Sequence, residues 1–208
     1  MRDGVQLVCF DLGGVIVRIC RTFKEALDCA GIDASRIQWP TSNEMPAMMN
    51  AYQRGEMNGC AYSHAISRLI GGSLTPDEIL CIHDAVILEP YDGVDVIVNR
   101  LNELRIRTAA LSNINDRHWP LVREIRAIRL LDHHLLSHEI GAIKPDESAY
   151  VAVETIAGCN PSSILFFDDT IENIEAGRSR GWQCVHVDYD KPTAPQICSA
   201  LRNAGIGL

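Results

Sequence analysis

The chain has 208 residues, 47% of them hydrophobic, and a formal charge of -8 from 19 Lys and Arg against 27 Asp and Glu. That length supports one full α/β core, or one core with a smaller inserted module. The acidic balance argues against a nucleic-acid or acidic-membrane partner, which excess Lys and Arg would have to bind; no run approaches the roughly eighteen apolar residues of a membrane span.

Cys9, Cys20, Cys29, Cys60, Cys81, Cys159, Cys184 and Cys198 show no CxxC and no framework spacing, so they read as reduced core thiols of a cytoplasmic protein, with a zinc site or disulfides as the lesser alternatives. The first apolar segment is approached through Arg2 and Asp3 and interrupted by Asp11, with no small-residue cleavage site after it, and it is not read as a signal peptide.

Residues 5–17, VQLVCFDLGGVIV, read as a buried strand that runs out at Asp11 and is broken by Gly-Gly. An ionised carboxylate there is costly unless a cation or several donors meet it. Residues 18–88 change character and read as helices only. The first covers 22–30 and closes on Gly31; the second, 44–53, carries Met45, Met48, Met49 and Tyr52 at helical spacing, a pattern of ordinary packing. The third covers 57–70 and ends at Gly71-Gly72. A fourth starts at the capping sequence Thr75-Pro76-Asp77-Glu78.

Residues 90–93 read as the hinge back into the core. Beyond them the pattern alternates: helix 94–104, strand 107–111, helix 117–126, strand 134–137, helix 146–157, strand 164–167, helix 171–180, strand 183–187, helix 195–203. The expected fold is α/β, a Rossmann-like parallel sheet with helices on both faces. Residues 1–17 and 89–208 form the core, and 18–88 a small α-helical insert.

In such sheets ligands gather beyond the carboxyl ends of the strands. There the chain places Asp11, then Ser112-Asn113, then Lys144-Pro145, then Asp168-Asp169. Each taken alone is an ordinary helix cap, turn or surface group. Together, the carboxylates would repel one another and rise in pKa unless a divalent cation neutralised them, and an all-oxygen donor set favours Mg²⁺.

The ordered set FDLGGV, LSNIN, IGAIKPD and FFDDTIEN, with a helical insert between the first two, resembles the haloacid dehalogenase (HAD) superfamily, and within it the phosphatases with a small helical cap. SNIN followed by WP, the RGE of residues 54–56 and DDTIENIEAG are most similar to the bacterial α-D-glucose-1-phosphate phosphatases. The resemblance implies that Asp11 is the nucleophile and forms an aspartyl-phosphate. It implies Mg²⁺ held by Asp11, the backbone carbonyl of Gly13, Asp168 and Asp169. Ser112 and the backbone N–H of Asn113 would bind phosphate oxygens, and Lys144 would supply compensating charge. Asn173 would orient Lys144 or a water on the metal, or share with Thr170 in capping the next helix. The expected partner is a small phosphorylated metabolite, bound by a monomer or homodimer.

One position departs from the family pattern. Most HAD phosphatases carry Asp two residues after the nucleophile as general acid and base; here it is Gly13. Such a group contributes a factor of about 10² to 10⁴, so its loss suits a leaving group that needs little help. A sugar 1-phosphate is one, and the glucose-1-phosphate group resembles this chain in carrying Gly there. Asp116, Glu56 and His64 are candidate substitutes; Arg21, Trp39, Arg54 and His64 are candidates for sugar contact. His118, His133, His134, His138 and His186 show no metal-binding spacing and read as structural or surface groups. Trp119-Pro120 reads as a loop anchor. The competing readings are a catalytically weak phosphate-binding or regulatory protein, a dehalogenase attacking carbon without metal, and a phosphomutase, which would need the acid missing at Gly13.

Overall fold

The computed structural model describes residues 4–40 and 43–207; Arg2 and Asp3 lie outside them. The elements in chain order are β1 (Leu7–Phe10), β2 (Val17–Ile19), α1 (Phe23–Ala30), α2 (Met45–Gln53), α3 (Gly59–Leu69), α4 (Pro76–Asp84), β3 (Ile87–Pro90), α5 (Val94–Glu103) and β4 (Arg107–Ser112). The chain continues with α6 (His118–Val122), α7 (Arg126–Arg129), β5 (His133–Leu136), α8 (Ser137–Ile140), α9 (Glu147–Ala157), β6 (Ile164–Asp168), α10 (Ile171–Ser179), β7 (Gln183–His186) and α11 (Thr193–Asn203).

β1 lies at the centre of a five-stranded sheet of order β5-β4-β1-β6-β7, and every pairing in it is parallel. Alternate strand residues face opposite sides. Val8, Phe10, Ala110 and Phe167 join one apolar cluster with Ile97 of α5, Ile128 of α7 and Leu201 of α11. Leu7, Cys9, Ala109 and Phe166 join another with Val153 of α9 and Ile174 of α10. Helices therefore cover both faces, as the alternating pattern requires.

The insert builds its own apolar cluster from residues such as Leu27, Tyr52, Ile66 and Leu74, with Met45, Met48 and Met49 packed against it. Its helix ends obey local rules: Thr22 caps α1, Gly31 takes a left-handed φ of 69°, and Thr75 and Glu78 form a reciprocal capping box on α4. The insert is fastened to the core at both α2 and α4. Arg54 pairs with Asp146 at 2.7 Å, and Ser137 Oγ donates to the Gln53 carbonyl at 2.6 Å. Arg117 grips Asp84 with two hydrogen bonds of 2.5 and 2.6 Å.

The first strand ends as expected: β1 stops at Phe10, just before Asp11, the N–H groups of Ile16 and Val17 both bond the Leu12 carbonyl at 2.9 Å, and Gly14 turns the chain with φ 76°. Two expectations about the elements are corrected. The segment 18–88 is not purely helical, because β2 pairs antiparallel with β3 across the insert; both are short, and Pro90, which reads as a hinge, ends the second strand. Residues 117–126 form no single helix, since Ile125 is extended (φ -60°, ψ 127°) between α6 and α7. The eight thiols are all free, but they are not all core groups: Cys9 and Cys20 are buried, while Cys29, Cys60 and Cys81 are exposed.

Candidate active site

The parallel register pairs Phe10 with Ala110 on β4 and with Phe167 on β6, so the residues just past these strands share one edge. Asp168 is fully buried, while Asp11 and Asp169 are each 9% exposed. One oxygen from each lies within 4.8 Å of the others. Lys144 Nζ stands 2.9 Å from Asp11 Oδ1 and 2.6 Å from Asp168 Oδ2. Ser112 is buried at the end of β4.

Two supports differ from expectation. Asn173 reaches Asp168 and not Lys144: its Nδ2 donates to both carboxylate oxygens, at 3.0 and 3.1 Å. The Thr170 side chain does not cap α10; its backbone N–H donates to Asp168 Oδ1 at 2.8 Å. Asn113 also has a side-chain role that sequence reasoning missed. Its Nδ2 donates to the Lys144 carbonyl at 2.9 Å and its Oδ1 accepts from the Lys144 N–H at 2.7 Å. That clamp holds the lysine backbone just before the cis Lys144-Pro145 peptide.

Charge decides what else the site needs. At about 5 Å and an effective dielectric of about 20, each pair of carboxylates repels by roughly 3 kcal/mol. Three carboxylates face two cations, Lys144 and Arg21, so the fully ionised cluster is short of one positive charge. Burial, with Asp168 and Asp169, pushes Asp11 up to about 7 against the opposing pull of Lys144. Burial alone would depress Lys144, but Asp11 and Asp168 outweigh it and hold its ammonium above the ordinary value. The donor set is hard oxygen, convergent and short of positive charge, which fits Mg²⁺. A cation here would return Asp11 to the carboxylate form.

Arg21, a candidate for sugar contact by sequence, instead binds Asp169. Its Nη1 lies 2.5 Å from Asp169 Oδ2 and its guanidinium stacks 3.6 Å over the Tyr189 ring. Gly14 is required beside it, because a Cβ there would collide with the guanidinium and the Asp169 carboxylate. The other candidates are engaged elsewhere: Arg54 with Asp146, Trp39 edge-on to Phe23, and His64 Nδ1 with the Cys60 carbonyl at 2.9 Å. Asp116 and Glu56 are exposed, and neither hydrogen-bonds the carboxylates. At Gly13, a Cβ would meet Ile19 Cδ1 at 3.0 Å, so an apolar methyl occupies the space beside the missing acid.

A cavity of about 200 Å³ opens between core and insert, lined by Gly13, Ser112, Asn113, Gln53 and His83 among others. A second, of about 220 Å³, lies among the apolar residues of the insert and includes Arg21. Sequence reasoning missed His83 and Asn115. Asn115 could have been found as the residue whose side chain takes the N–H groups of Arg117 and His118 at the start of α6. No local signal marks His83.

A family model described as haloacid dehalogenase-like hydrolase matches residues 5–181. Phosphatase MT3486 of Mycobacterium tuberculosis is 37% identical over 76 residues, a match covering 36% of this chain and 35% of that protein. A phosphoglycolate phosphatase of Pseudomonas putida is 23% identical over 194 residues, covering 88% of this chain and 70% of the relative. Among solved structures, a HAD family enzyme from Bacteroides thetaiotaomicron in complex with magnesium and inorganic phosphate superposes with a TM-score of 0.75 at 20% identity, covering 90% of this chain and 96% of that one. At that identity the likeness is one of fold.

Proposed function

Since the chain belongs to the haloacid dehalogenase-like hydrolase family, we propose that it is a Mg²⁺-dependent phosphatase. Its substrate is a small phosphate monoester of the sugar 1-phosphate kind, hydrolysed through an aspartyl-phosphate on Asp11. The observation that carries this reading is Lys144 bridging Asp11 and Asp168 where the carboxylates converge. The names of the two relatives, both phosphatases, support the class.

Asp11, Asp168, Asp169 and the Gly13 carbonyl would hold Mg²⁺, which when bound supplies positive charge against phosphate oxygens. The Asp11 carboxylate attacks phosphorus in line, an O–P bond forms, and the ester O–P bond breaks with its electrons leaving on the alcohol oxygen. Water then cleaves the acyl phosphate, releasing inorganic phosphate and restoring Asp11. Ser112, the Asn113 N–H and the Lys144 ammonium bind the phosphate oxygens, and the Asn113 clamp keeps Lys144 in place. With no acid at Gly13, the leaving oxygen has to depart with little protonation; an anomeric oxygen does so more readily than an ordinary alkoxide. Residues 18–88 act as a cap over the edge, on a core of 1–17 and 89–208. The protein works in the cytoplasm, as a monomer or homodimer.

One observation favours a second reading. Ile19 beside Gly13 leaves no acid at that point, as in a protein that binds a phosphorylated ligand without turnover. A panel of phosphate monoesters with Mg²⁺ or EDTA separates the two. We expect phosphate release with Mg²⁺, greatest for sugar 1-phosphates and abolished by EDTA. Metal-independent release would sink the mechanism, and tight binding without release would establish the second reading.

A further inference from the structure

His83 is 6% exposed near the end of α4 and stands between the two cavities, lining both the apolar one within the insert and the one that takes in Gly13, Ser112 and Asn113. Its hydrogen bonds fix its proton. Asn115 Oδ1 accepts the backbone N–H of Arg117 at 3.1 Å and of His118 at 2.9 Å, so that end of the amide is oxygen. The other end, 2.9 Å from His83 Nε2, is therefore the NH₂, which can only donate. Nε2 carries no proton, and the proton of the neutral ring is on Nδ1. Among the described residues, Nδ1 has no partner.

The ring is also held rigidly. It stacks on His118 at 4.0 Å and 13°, and Tyr52 and Tyr62 lie within 5.3 and 5.4 Å. His118 Nε2 reaches the His83 carbonyl at 2.7 Å. Burial first, then the neighbouring His118, depresses His83 to about 3, and burial also lowers His118, so neither adds charge near neutral pH. Among the described residues, no Asp, Glu, Lys or Arg lines the cavity beside Gly13. A carboxylate or ammonium on the leaving group would lose water there and find no counter-charge.

We propose that this cavity receives the leaving group, that it selects a neutral, hydroxyl-bearing alcohol over a charged one, and that His83 Nδ1–H donates to a hydroxyl oxygen of that alcohol. The assignment rests on the phosphatase reading and deepens it. It makes His83 a residue that sets specificity through a hydrogen bond, with no proton transferred. It also separates this chain from an enzyme acting on phosphoglycolate, whose leaving group carries a carboxylate.

The test compares wild type, His83→Phe and His83→Gln with Mg²⁺ on a hexose 1-phosphate, phosphoglycolate and p-nitrophenyl phosphate. Wild type is expected to favour the hexose phosphate over phosphoglycolate by about a hundredfold or more in kcat/KM. His83→Phe should lower the hexose value roughly 10- to 100-fold and leave p-nitrophenyl phosphate within about threefold; His83→Gln, which keeps a donor, should recover part of the loss. Equal wild-type use of phosphoglycolate, or equal losses on the hexose and p-nitrophenyl esters in His83→Phe, would overturn the assignment. If no ester is hydrolysed, the phosphatase reading fails by itself. Calorimetric binding of the hexose phosphate and phosphoglycolate to wild type and His83→Gln then reads the same preference, and its absence refutes the proposal.

Discussion

Asp11→Asn is expected to lower kcat by about a thousandfold or more on every ester the protein hydrolyses, because the substitution removes the nucleophile and not an accessory contact. The same change should leave the metal-free protein at least as heat-stable as wild type. Asp11 is buried against Asp168 and Asp169, and burial first, then those neighbours, raises its pKa to about 7 against the pull of Lys144. An amide of nearly the same shape relieves that repulsion, and Lys144 keeps its 2.6 Å contact with Asp168. A site built to hold excess negative charge is a place where stability and activity oppose each other. Steady-state kinetics and a thermal melt of the two metal-free proteins check both halves.

Lys144→Met has the opposite signature, costing stability as well as rate. The Lys144 side chain is 1% exposed and serves Asp11 and Asp168 at once. Removing it strands buried carboxylates, a loss of about 3–5 kcal/mol. At roughly 2–4 °C per kcal/mol for a chain of this size, the metal-free melting temperature should fall by about 6–20 °C. Mg²⁺ should restore part of that loss, since it binds the folded carboxylates and so favours the folded state. In the double variant with Asp11→Asn the penalty should be smaller than the sum of the single effects, because one stranded charge has gone. An unchanged melting temperature in Lys144→Met would mean that the ion pair does not hold this site together.

Much of the fold could be read from the sequence, for a local reason. The central strands β1 and β6 are largely short apolar runs, and the ends of parallel strands gather on one edge, which is why Asp11, Ser112 and Asp168 stand out in the sequence; Lys144 lies beyond α8 and reaches that edge from a loop. The contacts that escaped are set by packing between segments far apart in the chain. β2 and β3 meet across the whole insert. His83 meets Asn115, and Arg21 meets Asp169, only because the insert folds back on the core, fastened by Asp84–Arg117 and Arg54–Asp146. Neither spacing nor composition marks such residues beforehand. Asn173 shows the limit in miniature: its position one turn into α10 was legible, but which carboxylate or amine it serves depended on where the side chain lands.

The central claim is that phosphate passes through Asp11 before it reaches water. The stereochemical course at phosphorus tests it most directly, using an ester made chiral at phosphorus with oxygen isotopes and sulfur and hydrolysed in labelled water. Each in-line displacement inverts phosphorus, so attack by Asp11 and then by water predicts net retention. Net inversion, the mark of a single direct attack by water, would contradict it.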